Sequence, residues 1–496
     1  MQDAVRSKKI AILPSRFEKI YFNWIDNLRD WCISRQLWYG HQIPVWYRND
    51  EIYCGVIVPD SEGWQQDPDT LDTWFSSGLW TFSTLGWPNK TDDLATYHPT
   101  AVLETGHDII FFWVARMILM STYLLNEVPF KTVYLHGLVR DEKGRKMSKS
   151  LGNIIDPLDV TNKYGTDAVR LSLVIGSTPG NDVKLSEEKI ASYRNFTNKL
   201  WNISRYVLAN TTDKKLPLRP LFKTYTSADS WILEHMSGLI VDVTDDINNC
   251  RFSQAGERLR DFTWSKFADW YVEAAKVEDN EVKDGILRHV LEGLLKLWHP
   301  FMPFVTEVIW REMGHDTMLL VAPWPHEVEY AGYSEGEGYQ GRGRMSFDTV
   351  KNIITAIRSI RSDYGIAPKQ KIKAVIYAGD KVELLESQKT LIESLRTGVD
   401  VTIHKTGDTM KEVAYAVVDG VEVYIPLAGL VDITKEKVRL EKRSQELKKV
   451  ITATDAKLGN EAFVHHAPAD IVQAEIDKAE GYQQELKKIK AQIKHL

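Results

Sequence analysis

The amino-acid sequence predicts a multidomain protein in which α/β structure is followed by all-α structure. Three observations lead to this prediction. Residues 101–139 follow the order strand, helix, strand, which is the unit of a parallel sheet. Residues 187–314 follow a helical period, and residues 434–496 repeat apolar side chains at seven-residue spacing. At roughly 100–200 residues per domain, the 496 residues are enough for three or four domains.

Composition and charge indicate a soluble globular protein. Hydrophobic residues make up 43% of the chain and charged residues 26%, which excludes a disordered, collagen-like or fibrous chain. The formal net charge of −6 is mild for this length, so an RNA partner would have to meet a local basic face. The three scattered cysteines include no CxxC pair, so we expect no disulfide framework, no bound metal and a reducing, cytoplasmic location.

The start of the chain and its most apolar run predict neither secretion nor a membrane span. No positively charged, apolar leader opens the sequence. Residues 109–125 form the most apolar run, but Arg116 interrupts it and it is short of the roughly 20 residues that cross a bilayer. We expect this run to be a buried helix.

The first part of the chain is rich in aromatic residues and turn signals. Residues 44–59 alternate around Asn49-Asp50, which predicts a β-hairpin. Residues 72–88 combine aromatic side chains with Ser and Gly, as the wall of a pocket does. We expect a single domain over residues 1–186.

A crossover unit follows within the same domain. Residues 101–105 are predicted to be a buried strand, 108–125 a helix and 130–139 a second strand. Residues 141–153 are rich in glycine and lysine and have no apolar period, which predicts a loop. In open α/β sheets, ligands bind at the carboxyl ends of strands, so this loop is a candidate site.

Helical domains and a linker make up the rest of the chain. A bundle is predicted over 187–330, a flexible linker over 331–344, a small α/β module over 345–431 and an antiparallel coiled coil over 432–496. The bundle helices are expected at 188–209, 227–249, 252–277, 280–298 and 302–313. The module is expected to have a helix near 347–362, a strand at 372–378, a helix near 381–396 and a hairpin turning at Asp419-Gly420.

The loop contains a pair of lysines, Lys146 and Lys149, three residues apart. Two ammonium groups on a glycine-flanked loop can close over a polyphosphate and neutralise the charge that develops on departing pyrophosphate. The alternative is a solvated lysine-rich turn, which for an arbitrary lysine pair is the more frequent case.

The surrounding residues favour the first interpretation. The string KMSKS at 146–150 is the second signature of the class I aminoacyl-tRNA synthetases, and the chain resembles that family, its valine-specific members in particular, from near residue 1 to its end. The strings that carry the resemblance are HGLVRDEKGRKMSKSLGNIIDP (136–157), DWCISRQLWYGHQIPVW (30–46), LDTWFSSGLWTFSTLGWP (71–88), TGHDIIFFWVARM (105–117) and NFTNKLWN (195–202). Isoleucine and leucine enzymes share the architecture but match these strings less well.

The resemblance implies a fold and a set of site residues. The fold would be the second half of a Rossmann-type catalytic domain, followed by an anticodon-binding bundle, the small module and a coiled-coil arm. Lys146 and Lys149 would be catalytic, contacting the phosphates of ATP, which binds with Mg²⁺. Other ATP-binding positions would be Gly106, Asp108, His136, Gly137, Met147 and Ser148, and the amino-acid pocket would include Trp74, Ile109 and Trp113.

Structural alternatives stand beside these assignments. Ile109 and Trp113 are one helical turn apart and could both face one cavity, or both could belong to the core. Asp108 could be a helix N-cap as well as a ligand contact.

The resemblance also implies tRNA contacts in the bundle. Arg194, Asn198, Lys199, Arg251, Arg258 and Arg260 could meet phosphates or bases, or could belong to a solvated charged face. The terminal hairpin carries lysines on both arms, interleaved with acids, and the family's equivalent hairpin contacts tRNA.

One departure from the family pattern is informative. None of the thirteen histidines stands in an H-x-G-H string, the family's first signature, and the inserted editing domain is also missing. The resemblance therefore implies the carboxy-terminal half of a monomeric valine enzyme that acts on valine, ATP and tRNA(Val). We expect the chain to be inactive without an amino-terminal half, which could be separately encoded. The alternatives are a tRNA-binding module without catalysis and part of an isoleucyl- or leucyl-type enzyme.

Overall fold

The structure is a computed structural model with helical and sheet-containing parts. It describes residues 1–60, 62–211, 225–278, 281–330, 342–367, 370–408, 410–430, 433–460 and 469–495. The strands are β1 (Ala11–Leu13), β2 (Ser34–Arg35), β3 (Val45–Arg48), β4 (Glu51–Cys54), β5 (Gln65–Gln66), β6 (Thr70–Leu71), β7 (Thr100–Gly106), β8 (Phe130–His136), β9 (Val139–Arg140), β10 (Val183–Lys184), β11 (Ile372–Tyr377), β12 (Val399–His404), β13 (Val413–Val418) and β14 (Val421–Pro426).

The helices fall mainly where the helical period predicts them. They are α1 (Gln2–Arg6), α2 (Glu18–Asp26), α3 (Thr73–Ser77), α4 (Trp80–Ser83), α5 (Asp92–Tyr97), α6 (Arg116–Leu124), α7 (Pro157–Tyr164), α8 (Thr166–Val174), α9 (Glu187–Asn210), α10 (Ser227–Asn248), α11 (Phe252–Asp261), α12 (Val272–Ala275), α13 (Glu281–Trp298), α14 (Pro303–Glu312), α15 (Arg342–Asp363), α16 (Val382–Ser387), α17 (Lys389–Ser394), α18 (Ile433–Leu458) and α19 (Ala469–His495). Wider π-helical turns occupy Ile110–Ala115 and Phe262–Tyr271.

The chain divides into two compact units. Unit 1 comprises Met1–Lys199, Val243–Glu257 and Trp298–Val305, and unit 2 comprises Leu200–Asp242, Arg258–Leu297 and Thr306–Leu496.

A parallel sheet with the order β1-β8-β7 forms the centre of unit 1. The predicted strand–helix–strand crossover is confirmed, since β7 and β8 pair in parallel and are joined through α6. Val133 and Leu135 of the middle strand are fully buried, and they share a core with Val114, Met117 and Ile118 of the crossover helix. This packing explains the very apolar sequence of the crossover, because the helix must cover one face of the sheet.

The same crossover is the one helical run among the described residues that is long and apolar enough to cross a membrane. The run covers His107–Leu124, and 39% of it is buried. Its buried apolar residues belong to the core of unit 1, whereas Phe112, Leu119, Tyr123 and Leu124 are exposed, so the predicted burial holds for one face of the run only.

The predicted hairpin around Asn49-Asp50 is confirmed. Strands β3 and β4 pair antiparallel, and Arg48 lies opposite Glu51. Asn49 and Asp50, between these partners, therefore form the turn. Asn49 has a φ of +53°, a conformation that asparagine tolerates better than most residues.

The small module and the terminal hairpin lie in unit 2. The module is a sheet with the order β12-β11-β14-β13, and its β13–β14 hairpin turns at Asp419-Gly420 as predicted. Helices α18 and α19 pack through Leu440, Leu447 and Ile489. Arg443 of α18 pairs with Glu485 of α19, and Lys457, further along α18, pairs with Glu475, which is earlier in α19. The two helices are therefore antiparallel, as predicted.

Some residues of each predicted segment lie outside the described residues. These are 61 in the first domain, 212–224 and 279–280 in the bundle, 331–341 in the linker, 368–369, 409 and 431 in the module, and 432, 461–468 and 496 in the coiled coil. Residues 342–344, predicted as linker, are the first residues of α15.

Candidate active site

The carboxyl ends of β7 and β8 bring two predicted residues side by side. Gly106 and His136 are partners in the parallel ladder. Nε2 of His136 lies 3.3 Å from Oε1 of Glu104, and Nδ1 lies 2.8 Å from the carbonyl oxygen of Gly137. The predicted crevice position of the loop that follows β8 is therefore supported by the strand order.

Gly137 allows a second chain segment to approach the end of β8. A Cβ atom at this position would lie 1.8 Å from the carbonyl oxygen of Asn181, so another residue would push the two backbones apart. The next residue, Asp182, accepts a hydrogen bond from the backbone N–H of Leu138 at 2.8 Å and pairs with Arg140. These contacts, led by the Leu138 N–H, lower the pKa of Asp182.

A tight turn at Asp141 begins the lysine-bearing loop. The carbonyl oxygen of Asp141 accepts a hydrogen bond from the N–H of Gly144 at 2.9 Å, and Gly144 has a φ of +78°. The carboxylate accepts hydrogen bonds from Arg145, at 2.7 Å from its backbone N–H and 2.8 Å from Nε. Lys146 then forms an antiparallel bridge to Arg140, so the chain returns beside β9.

Asn153 closes the other end of the loop. Its Oδ1 accepts a hydrogen bond from the N–H of Ser148 at 2.9 Å. Its Nδ2 donates to the carbonyl oxygen of Lys146 at 3.2 Å and to Oδ2 of Asp141 at 2.9 Å. One side chain therefore holds the backbone on both sides of Met147.

The charge state of Asp141 fits this arrangement. The hydrogen bond from Asn153, followed by those from Arg145, lowers the pKa of Asp141 from 3.8 to about 2, although burial opposes the shift. The carboxylate is ionised at neutral pH. Its stabilising contribution to the loop would be lost only as the pH falls from 3.8 through about 2.

The loop presents the first lysine of its KMSKS motif to solvent. The side chain of Lys146 is exposed, and Met147 and Ser148 are half-buried. The Ser148 hydroxyl lies 3.1 Å from that of Ser150 and accepts the N–H of Leu151 at 3.3 Å, at the 3₁₀ turn Lys149–Leu151. The side chain of Lys149 lies outside the described part of the molecule.

Two of the three predicted pocket residues involve α3: Trp74 lies on this helix and Trp113 bonds to it. The rings of Trp74 and Phe112 have centroids 5.7 Å apart, and Nε1 of Trp113 donates to the carbonyl oxygen of Ser77 at 3.0 Å. Trp74 and Trp113 are both half-buried, as is Ile109 at the start of the same helical run.

The crossover is not the regular α-helix that the sequence predicts. It begins as a 3₁₀ turn at His107–Ile109, widens to a π-helix at Ile110–Ala115 and becomes α-helical only from Arg116. The i,i+4 relation assumed for Ile109 and Trp113 therefore does not apply. π-Helical turns are frequent at functional sites, which is consistent with a pocket here.

Asp108 is exposed and is not the helix cap. Gly106 precedes the first helical turn, and no side-chain cap hydrogen bond is made there. The cap alternative is therefore wrong. The Asp108 carboxylate stays close to Gly106, since Oδ1 would lie 2.5 Å from a Cβ at that position.

The six predicted tRNA contacts are in different environments. Arg194, Asn198 and Arg260 are exposed, whereas Arg251 pairs with Asp245 and Asp246 and Arg258 pairs with Asp242 at 2.9 Å. Lys199 is half-buried. The paired guanidinium groups would have to exchange these carboxylates for phosphates, which makes Arg194 the stronger candidate.

Three residues that hold the site together are absent from the sequence-based set: Asp141, Asn153 and Asp182. Asp141 and Asn153 are the first and last residues of the predicted loop, and Asp and Asn side chains commonly bond to nearby backbone in turns. That signal could have identified them. In the described ranges, no three His, Cys, Asp or Glu side chains form a group that could hold a metal ion.

Family models match most of the chain. The model for class I tRNA synthetases (I, L, M and V) matches residues 1–59 and 56–186. The model for the anticodon-binding domain of tRNA ligase matches 229–376, and the model for the valyl-tRNA synthetase tRNA binding arm matches 432–496.

Curated relatives agree with these matches. The valine–tRNA ligases of Clostridium acetobutylicum and Clostridium tetani are 42% and 44% identical to the chain over 99% and 100% of its length. That of Bacillus subtilis is 42% identical over 96%. The chain spans 55–57% of the length of these relatives.

A solved structure shares the fold. It is the LeuRS–tRNA–LeuAMS ternary complex of Agrobacterium radiobacter, which matches 64% of this chain and 46% of that chain with a TM-score of 0.52 and 20% identity. The family models and the curated relatives together show that the chain belongs to the class I tRNA synthetases. Within it, the sequence relatives are valine–tRNA ligases.

Proposed function

We propose that the chain forms the ATP- and tRNA-binding part of a valine–tRNA ligase. The reaction is the attack of the valine carboxylate on the α-phosphorus of ATP, which releases pyrophosphate, followed by transfer of the valyl group to a ribose hydroxyl of tRNA(Val). The observation that carries the proposal is the exposed ammonium of Lys146 on a braced loop beyond the carboxyl end of β8.

Each part of the unit 1 site has a proposed task. Lys146 and Lys149 neutralise negative charge on the phosphates as pyrophosphate leaves. Gly106, Asp108, His136 and Gly137, at the strand ends, together with Met147 and Ser148 of the loop, receive ATP. Trp74, Ile109 and Trp113 shape an apolar pocket for valine, and Mg²⁺ enters as the counter-ion of ATP.

Two of the remaining segments are proposed to bind tRNA(Val). Residues 187–330 would meet the anticodon region and residues 432–496 would serve as the binding arm, with 331–341 as linker and 342–431 as the module between them. An amino-terminal half supplied by another polypeptide is the proposed partner of residues 1–186, the catalytic part. The whole would act in the cytoplasm, with one copy of each part.

Valine-dependent pyrophosphate exchange tests the proposal. The chain would be assayed alone and after addition of a polypeptide corresponding to the other part of a valine–tRNA ligase. We expect exchange only in the mixture and only with valine. Equal exchange with leucine or isoleucine would favour those enzymes, and tRNA binding without exchange in the mixture would favour a non-catalytic binding module.

Arg194 provides a prediction for tRNA binding. A lysine or arginine that contacts a phosphate releases counterions, so binding weakens steeply with salt. We expect Arg194→Ala to lower tRNA affinity and to reduce the salt-dependence slope by about 1, measured by filter binding between about 50 and 200 mM salt. Lys405→Ala, at an exposed position directly after β12 and outside the matched residues 229–376, is the control. An unchanged slope for Arg194→Ala would remove this residue from the interface.

A further inference from the structure

We infer that Asn153 and Asp141 are positioning residues for Lys146, and that their hydrogen bonds hold the lysine loop in the form that receives ATP. The inference rests on the proposed function, because Lys146 needs a defined position only if a phosphate group binds there. Neither residue belongs to the lysine motif itself.

The contacts of Asn153 make it a clamp on the loop backbone. Its amide oxygen accepts a hydrogen bond from the N–H of Ser148, and its amide nitrogen donates one to the carbonyl oxygen of Lys146. These groups flank Met147, so the backbone that carries Lys146 is fixed on its carboxyl side. On the amino side, the bridge to Arg140 fixes it against β9.

Asp141 connects the clamp to β9. It is 8% exposed and stands directly after β9, and its carboxylate bonds to Asn153 and to Arg145 at once. Because both ends of the loop meet at this one carboxylate, loss of Asp141 or of Asn153 releases the same contact.

The clamp leaves only the lysine side chain to be ordered by ATP. The Lys146 side chain is exposed, while its backbone makes the bonds described above. Fixing the backbone of a mobile loop on binding would cost conformational entropy, which a preformed loop has already lost. A released loop should therefore bind ATP more weakly and align Lys146 less well with the departing pyrophosphate.

Amide hydrogen exchange in the 496-residue chain without ATP tests the clamp. We expect Asn153→Ala and Asp141→Asn to increase exchange at Ser148 by about tenfold or more, as loss of a local closing bond would. Asn352→Ala is the matched control, because Asn352 also donates its amide to a carboxylate, Asp419, at 3.0 Å, far along the chain from the loop. Unchanged exchange at Ser148 in both loop variants would overturn the inference.

Pyrophosphate-exchange kinetics in the mixture with the other half test the positioning role. Asn153→Ala should raise KM for ATP and lower kcat, each by about three- to tenfold, without changing KM for valine. The double variant Asn153→Asp with Asp141→Asn restores one amide–carboxylate pair and should recover part of kcat relative to Asn153→Asp alone. A loosened loop with unchanged kcat and KM for ATP would overturn the inference. Absence of exchange by the wild-type mixture would instead refute the proposed function, and the hydrogen-exchange result would stand on its own.

Discussion

Replacing Lys146 and Lys149 together by alanine will lower valine-dependent pyrophosphate exchange in the reassembled enzyme by about a thousandfold. The removal of a single group that stabilises developing charge typically costs about a hundred- to a thousandfold in kcat. Two ammonium groups acting on the same phosphates are not additive, so the double variant should lie near the upper end of that range. The measurement is the initial rate of exchange at saturating valine and ATP.

Lys143 provides the control for this prediction. Its side chain is exposed in the same loop, but it precedes the lysine motif. Lys143→Ala removes the same charge from the loop and should keep at least about half of the exchange rate, since an exposed charge outside the site acts only at long range through screening solvent. Equal losses in the two variants would show that general basic charge, and not a phosphate contact, supports activity.

Replacing Lys283 by methionine will destabilise unit 2 by about 3–5 kcal/mol, measured by urea unfolding of the full chain. The Lys283 side chain is 2% exposed, and its ammonium donates to Asp229 at 2.6 Å, to Glu278 at 2.6 Å and to Thr226 at 2.9 Å. Asp229 is fully buried and also accepts the Tyr271 hydroxyl at 2.7 Å. Methionine fills the space but leaves the buried Asp229 carboxylate without its cation.

Two variants show whether the buried charge is the cause. Lys276→Met removes an exposed pair with Glu273 from the same unit and should cost no more than about 1 kcal/mol. Adding Asp229→Asn to Lys283→Met removes the unpaired charge and should recover part of the lost stability. A cost for Lys283→Met as small as that for Lys276→Met would contradict the buried network.

The sequence predicted the fold well wherever a local pattern determines the structure. The apolar strands of the crossover, the turn at Asp419-Gly420 and the seven-residue spacing of Leu440 and Leu447 are all short-range signals. β1 was not predicted, because its three residues are too few to show a period and its pairing with β8 joins residues that are over a hundred positions apart.

Local sequence patterns did not predict the π-helix of the crossover or the burial of Lys283. The π-helix at Ile110–Ala115 has the composition of an ordinary apolar helix, and its contacts with α2 and α3, such as Trp24–Phe111 and Trp113–Ser77, join residues far apart in the sequence. Lys283 stands among charged residues that would normally face solvent, and its burial depends on Asp229, more than fifty residues earlier in the chain.

The candidate site was predicted in part. The lysine motif and the strand-end residues Gly106 and His136 lie where expected along the chain, and the ladder register places those two strand-end residues side by side. The supporting residues were missed, although Asp141 and Asn153 begin and end the predicted loop and are residue types that commonly bond to nearby backbone. Asn153 and Asp141 are twelve positions apart and meet only because the chain turns at Gly144 and returns.

Chemical labelling of lysines in the mixture of this chain with the other part of a valine–tRNA ligase tests the central claim most directly. An amine-acylating reagent would be applied with and without Mg·ATP, and the modification of Lys143, Lys146 and Lys149 would be quantified by mass spectrometry. ATP should lower the labelling of Lys146 and Lys149 by about fivefold or more, because a phosphate-paired ammonium is held in its unreactive protonated form. The labelling of Lys143 should stay unchanged. Equal labelling of all three lysines with and without saturating ATP would contradict the assignment of this loop to the nucleotide.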